Sequence, residues 1–160
     1  MPEIQRVTPK TFDQFLQLIV ALADFEKLPP PDEAAQGRLR HDAFKNNPHF
    51  EAYLAFNSGV PAGYCIVFET YSSFLAKPTL YLEDLFVLPE FRGQKIAFEI
   101  MKFLAAEALK RGCGRMEWQV LDWNENAIEF YEKLGAKRQR EWFSYRMTEE
   151  ELRRLTRFKS

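Results

Sequence analysis

Cysteine is scarce in this chain. Cys65 and Cys113 are the only two among 160 residues and share no CxxC spacing. A disulfide frame and a cysteine-rich metal centre are therefore excluded, and both thiols read as reduced core groups of a cytoplasmic protein. Histidine is equally sparse. His41 and His49 have no ligand spacing with each other or with a cysteine, so no metal site is expected. No apolar run reaches the roughly 18 residues that would span a membrane, and Met1-Pro-Glu-Ile-Gln5 lacks the basic and apolar regions of a secretory leader. Charge of one sign is also missing. With 22 Lys and Arg against 23 Asp and Glu the formal charge is −1, which calls for neither nucleic acid nor an anionic membrane. Repeats, low-complexity tracts and linkers are absent as well, so residues 1–160 read as a single domain.

What is present is apolar material, 46% of the residues with 15 phenylalanines, arranged in clear periods. Ile4 to Val7 is a short strand. Thr11 to Glu26 carries Phe12, Phe15, Leu16, Ile19, Leu22 and Ala23 at helical spacing behind a Thr11 cap. Pro29-Pro30-Pro31 ends that helix, and Asp32 to Asn46 reads as a second, more exposed one. Phe50 to Phe56 and Ala62 to Thr70 form a hairpin around Asn57-Ser58-Gly59. A loop from Tyr71 to Pro78 precedes a strand from Thr79 to Leu88, and a helix follows over Gly93 to Arg111. Met116 to Leu121 is a further strand, Asn124 to Leu134 a helix with Asn124 as cap and Gly135 as stop, and Trp142 to Met147 a last strand. A basic terminal helix closes the chain, where Arg153, Arg154, Arg157 and Lys159 read as a solvated face. This order predicts an α/β (α+β) fold with a mixed sheet and helices on both faces.

The most informative stretch is Tyr81 to Ala97. A buried strand carrying two carboxylates, Glu83 and Asp84, turns at Pro89 into a helix through Arg92-Gly93. Backbone N–H groups at such a helix start favour phosphate-like anions. Glu83 lies in an otherwise apolar strand, where a carboxylate is seldom kept without a partner or a task. An exposed edge position and a structural salt bridge are the plainer readings of the same residue. Tyr131 follows Ile128 by three residues and precedes Leu134 by three, so it reads as part of an inward helical face, either a core tyrosine or a functional one.

Tyr81-Leu-Glu-Asp-Leu-Phe-Val87, Arg92-Gly-Gln-Lys-Ile-Ala97 and Leu121-Asp-Trp-Asn-Glu-Asn-Ala-Ile-Glu-Phe-Tyr-Glu-Lys-Leu-Gly-Ala136 resemble, in order and spacing, the signatures of the GNAT superfamily of acetyl-CoA-dependent N-acetyltransferases. Among its branches the chain is most similar to the spermidine/spermine group, including relatives that act on thialysine; Ala21-Leu-Ala-Asp-Phe-Glu26 adds a weaker likeness to that group's first helix. The resemblance implies a mostly antiparallel GNAT sheet and direct acetyl transfer from acetyl-CoA to a small primary amine. It assigns Glu83 to amine binding and deprotonation, and Tyr131 to protonation of the CoA sulfur. The chemistry agrees with these residue types. An alkylamine with a pKa of about 10.4 must lose a proton before it attacks, and a tyrosine of pKa about 10 suits a developing thiolate. No cysteine or serine stands in a nucleophile motif, so no acyl-enzyme is implied.

By the same resemblance, main-chain groups of Leu85, Phe86 and Val87 hold the pantetheine arm. Arg92, Gly93, Gln94, Lys95, Ile96, Ala97 and Phe98 wrap the pyrophosphate, and Asn124, Glu125, Asn126 and Ala127 add contacts. Phe25, Glu26, Glu117, Trp118 and Gln119 line the amine channel with Glu83. Lys95 departs from the pattern, which has a second glycine there; its Cβ either hinders the phosphate or its ammonium contacts it, and the second reading is preferred. Lys137, Arg138 and Arg140 leave only Glu141 as a carboxylate before the expected last strand, which disfavours a long tetra-amine and favours a diamine, a triamine or a lysine-like amino acid. A homodimer formed through the C-terminal strand is also implied. Two rival readings use the same CoA site, a protein lysine or N-terminal acetyltransferase and a non-catalytic CoA-binding module.

Overall fold

The computed structural model describes residues 1–158 and falls into two compact units, Met1–Gln119 and Val120–Ser160. The first unit contains β1 (Glu3–Arg6), α1 (Phe12–Glu26), α2 (Glu33–Phe44), β2 (Glu51–Asn57), β3 (Val60–Ser72), β4 (Lys77–Val87), a 3-10 turn (Pro89–Phe91), α3 (Ile96–Lys110) and β5 (Arg115–Trp118). The strands lie in sequence order, β1 to β4 pairing antiparallel and β4 to β5 parallel through the α3 crossover. This is the mixed, mostly antiparallel sheet expected. Alternation along β2 places helices on both its faces. Ala52 and Leu54 share a core with Phe12, Phe15 and Leu18 of α1, together with Tyr64, Ile66 and Phe86. Tyr53, pointing the other way, meets Phe103 of α3 edge-on at 4.9 Å.

The boundaries have local causes. Ser58 and Gly59 both have positive φ (51° and 79°), which gives the β2–β3 hairpin a two-residue turn matched to strand twist. The loop expected from Tyr71 to Pro78 is shorter, because cross-strand pairing continues to Ser72↔Lys77. Thr11 precedes α1 but does not cap it forwards; its hydroxyl accepts from the Thr8 N–H at 2.9 Å. Asp32 does cap α2, accepting from the Ala35 N–H at 2.8 Å. At the end of α3, Gly112 with φ 72° lets Cys113 N–H reach the Ala108 carbonyl at 2.9 Å, a left-handed stop.

An ionic network fixes the same end of α3 to the sheet. Arg111 donates to both carboxylate oxygens of Glu51 at 2.9 Å and to Glu107 at 3.2 Å. Tyr53 donates to Glu51 at 2.6 Å, while Arg6 lies 3.5 Å from Glu51.

The second unit contains α4 (Glu125–Lys133) and α5 (Glu149–Leu155). Asn124 accepts from the Ala127 N–H at 3.3 Å, and Gly135 with φ 91° ends α4, as the sequence predicts. The strand expected over Trp142 to Met147 is a correction: no strand forms there among the described residues, and Trp142, Phe143 and Tyr145 are 77%, 82% and 93% exposed. β-propensity supplies no partner edge, and without one a strand has no ladder. α5 starts on Glu149, Glu150 and Glu151 and ends on Arg153 and Arg154, each sign beside the favourable end of the helix dipole; Lys159 lies outside the described residues.

Candidate active site

The acidic face begins with a bulge in β4. Pairing passes from Val67↔Leu82 to Ile66↔Asp84, so Glu83 has no partner on β3. Glu83 follows Tyr81 by two residues and shares its face, where the Tyr81 ring packs on Phe68 at 5.1 Å. In a regular strand Asp84 would point to the opposite face. The extra residue returns it to the face of Glu83, where it accepts a hydrogen bond from the Tyr64 hydroxyl at 3.1 Å. Tyr64 is fully buried, its ring edge-on to Phe15 at 5.4 Å and beside Phe86 at 6.4 Å.

Above this face stands the last turn of α1. Phe25 lies 6.1 Å from Phe86, and the field of Glu26 reaches both Tyr64 and Asp84. From the other side comes β5, with Glu117 in register with Tyr81 and 2.9 Å from Arg115. Trp118 is in register with Leu82, so it faces away from Glu117, and Gln119 lies one residue beyond the strand. Phe25, Glu26, Glu83 and Glu117 are thus brought to one face of the sheet.

Electrostatics separates these carboxylates from the rest. Among the described residues no cation pairs with Glu26, Glu83 or Asp84. Burial pushes the Asp84 carboxyl up to about 6, and the neighbouring charges of Glu83 and Glu26 add to it against the opposing Tyr64 hydrogen bond. The same face raises the Tyr81 hydroxyl, through burial and then the charges of Glu83 and Glu117. A site of this kind attracts a cation and places a proton acceptor beside it.

An open edge adjoins the acidic face. β5 pairs with β4 only as far as Leu82↔Trp118, so Glu83 to Val87 have β3 on one side and no strand on the other among the described residues. Main-chain groups of Leu85, Phe86 and Val87 therefore lie on a strand edge able to pair with an extended, amide-bearing ligand. Arg92 turns back onto this end of the strand. Its Nε donates to the Val87 carbonyl at 3.2 Å, and its guanidinium lies 4.8 Å from the Phe25 ring centre.

After Arg92 the backbone enters left-handed conformations at Gly93 (φ 76°) and Lys95 (φ 63°), which delays α3 to Ile96, three residues later than the periodicity predicts. Lys95 therefore sits in a conformation suited to glycine, at a cost of about 1–2 kcal/mol. It occupies the cap position without a side-chain cap bond, so the N–H groups of Ile96, Ala97 and Phe98 start the helix without an acceptor from it. Gln94 is held by Asn57 at 2.7 Å and by the Glu90 carbonyl at 3.3 Å. An uncapped helix start, an adjacent ammonium and an open strand edge fit a phosphate-bearing, amide-rich cofactor.

In the second unit, Tyr131 lies on α4 with its ring 5.2 Å from Phe130. Burial pushes its hydroxyl up to about 12, which keeps it protonated at neutral pH. Asn124 spends its side chain on the cap of α4, ahead of Glu125, Asn126 and Ala127 in the first turn.

The sequence profile of the Acetyltransferase (GNAT) family matches residues 16–136. The chain belongs to this family. It is an N-acetyltransferase, and the family implies acetyl-CoA as its donor. Thialysine N-epsilon-acetyltransferase from Sus scrofa is 38% identical over 151 residues, covering 88% of each chain. L-ornithine N5-acetyltransferase from Arabidopsis thaliana is 40% identical over 111 residues, 68% of this chain and 49% of that protein. Among solved structures, an integron cassette protein from the mobile metagenome of V. cholerae superposes with a TM-score of 0.82 at 24% identity over 98% of both chains, a likeness of fold.

Two residues of this acidic face are not singled out by the sequence as candidates. Asp84 was visible as the second carboxylate of the strand, but strict alternation sends it away from Glu83. Tyr64 carried no signal at all, since a tyrosine in a β-run reads as core.

Proposed function

We propose that the chain transfers acetyl from acetyl-CoA to a primary amine of a small diamine, polyamine or lysine-like amino acid. The observation that carries this reading is the gathering of Glu26, Glu83 and Asp84 on one face with no cation among the described residues paired to them, beside the open β4 edge. Carboxylates so placed suit an acceptor with two cationic centres, one to be acetylated and one to be held. The names of the thialysine and ornithine relatives point to the same class, since each of those substrates bears two amino groups.

In this reading the acetyl thioester supplies an activated carbonyl carbon. The β4 edge at Leu85, Phe86 and Val87 holds the pantetheine arm, and residues Arg92 to Phe98 hold the pyrophosphate, with Lys95 offering its ammonium to a phosphate. Asn124 to Ala127 add contacts. Glu83 receives the acceptor ammonium and draws off its proton, so that the amine lone pair can attack. Tyr131 gives its proton to the departing sulfur. Phe25, Glu26 and Glu117 shape the channel on this face, Gln119 follows beyond the end of β5, Trp118 faces away from it, and the basic run Lys137, Arg138, Arg140 disfavours a long tetra-amine. The exposed arm around Trp142, Phe143 and Tyr145 is suited to a strand partner, so we read the active form as a homodimer joined there; sedimentation at micromolar concentration as a monomer would reject that part.

The test is CoA-thiol release from acetyl-CoA with putrescine, spermidine, spermine, thialysine, lysine, ornithine and a lysine-containing peptide. Turnover is expected on a free diamine or thialysine-like acceptor, and turnover on the peptide alone would transfer the site to protein acetylation. Tyr131→Phe is expected to lower kcat about 10²-fold while leaving acetyl-CoA affinity within about threefold.

A further inference from the structure

Glu83 alone is an incomplete proton acceptor for this chemistry. It is exposed, and a proton taken there sits beside two further carboxylates whose position the fold has fixed. Asp84 is the better-held of the three. The bulge turns it to the face of Glu83, and the Tyr64 hydroxyl binds its Oδ2 at 3.1 Å. Tyr64 has no freedom to leave, being 0% exposed and set between Phe15 and Phe86. No other hydrogen bond or ion pair among the described residues engages Asp84, so Oδ1 is available to a proton.

We propose that Asp84 stores the proton released by the acceptor amine, with Tyr64 as the residue that positions it. The inference rests on the amine-acetylating reading above and deepens it. In the step, an ammonium N–H bond breaks, Glu83 relays the proton, an O–H bond forms on Asp84, and the freed lone pair attacks the thioester carbonyl. The proton later returns to solvent, and no oxidant or further reactant is needed. The groups facing Asp84 are Glu83 on its own strand, Tyr64 on β3 and Glu26 on α1. Two are anionic and one is neutral, so protonation relieves repulsion where a second negative charge would add to it. The upward shift of the Asp84 carboxyl agrees with that geometry.

The test compares Asp84→Asn, Glu83→Gln and Tyr64→Phe on the full chain, using whichever free amine turns over. Asp84→Asn keeps the shape and can still accept from Tyr64. It is expected to lower kcat about 10²-fold, leave acetyl-CoA Kd within about twofold and abolish the acid limb of kcat against pH. Tyr64→Phe removes a bond that favours the ionised form, so the limb should move to higher pH; a merely structural tyrosine would lower the melting temperature without moving the limb. Asp84→Asn within about threefold of wild-type kcat, with the limb intact, overturns the proposal and leaves Glu83 as sole acceptor. The carboxyl carbon of Asp84, followed by NMR against pH, is a readout independent of turnover. Titration near the ordinary value of about 4 overturns the proposal whether or not an amine is acetylated. Titration near 6 in a chain inert towards every amine supports proton storage and rejects the acceptor class instead.

Discussion

The two carboxylate clusters of the first unit are built from the same residue type and behave in opposite ways. At the end of α3, Glu51 and Glu107 are met by Arg111, and burial of Glu51 is outweighed by hydrogen bonds from Arg111 and Tyr53, which hold its carboxyl below the usual range. On the β4 bulge, Asp84 meets, among the described residues, a hydroxyl and the charges of two further carboxylates, and its carboxyl is held above the usual range. The first cluster is complete and serves the fold. The second has no cation paired with it among the described residues, which is what the proposed binding of a cationic acceptor requires and what separates it from a structural salt bridge.

Removing a partner breaks the comparison most sharply. Arg111→Met should leave half-buried Glu51 with only Arg6 and the Tyr53 hydroxyl and Glu107 with the exposed Lys110, lowering stability by about 1–3 kcal/mol in denaturant titration, with the acidic face intact. Asp84→Asn should act in the other direction. A carboxyl whose folded pKa, about 6, exceeds its ordinary 3.8 contributes stability below about pH 4 and loses it as pH rises through about 6. Asparagine removes that loss, so the variant should be more stable than wild type by about 2 kcal/mol at pH 7.5 and nearly equal to it at pH 4, as thermal melts at the two values would show. Glu51→Gln tests the opposite sign. The stability from Glu51 is present above its ordinary 4.5 and disappears as pH falls through its lowered folded value, so the variant should be the less stable at pH 7.5.

The smallest effect concerns the loop proposed to hold the cofactor. Lys95→Gly relieves a left-handed residue and should raise stability by about 0.5–1 kcal/mol, while weakening acetyl-CoA binding several-fold if the ammonium meets a phosphate. Stabilisation with tighter acetyl-CoA binding in calorimetry would instead favour the other reading, in which the Lys95 Cβ hinders the phosphate.

Much of this was legible from local chemistry. Apolar periods placed α1, α3 and the five strands of the sheet, Asn124 and Gly135 delimited α4, and Tyr81–Ala97 marked the strand-to-helix corner proposed for the cofactor. The failures have more than one cause, and propensity alone reveals none of them. Trp142 to Met147 has strand composition but no edge to pair with in the described residues. Thr11 meets Thr8 before it meets its helix. α3 starts late because Gly93 and Lys95 are left-handed, a property of the folded loop that Lys95 conceals.

The sequence by itself determined the family, the order of elements and the carboxylate-bearing strand, because those follow from residue type and short-range spacing. Only the tertiary structure decided which carboxylates share a face. The bulge against β3 turns Asp84 to the face of Glu83, where it is partly buried beside Tyr64 and no cation among the described residues pairs with it. Register and burial are long-range quantities that no local pattern contains.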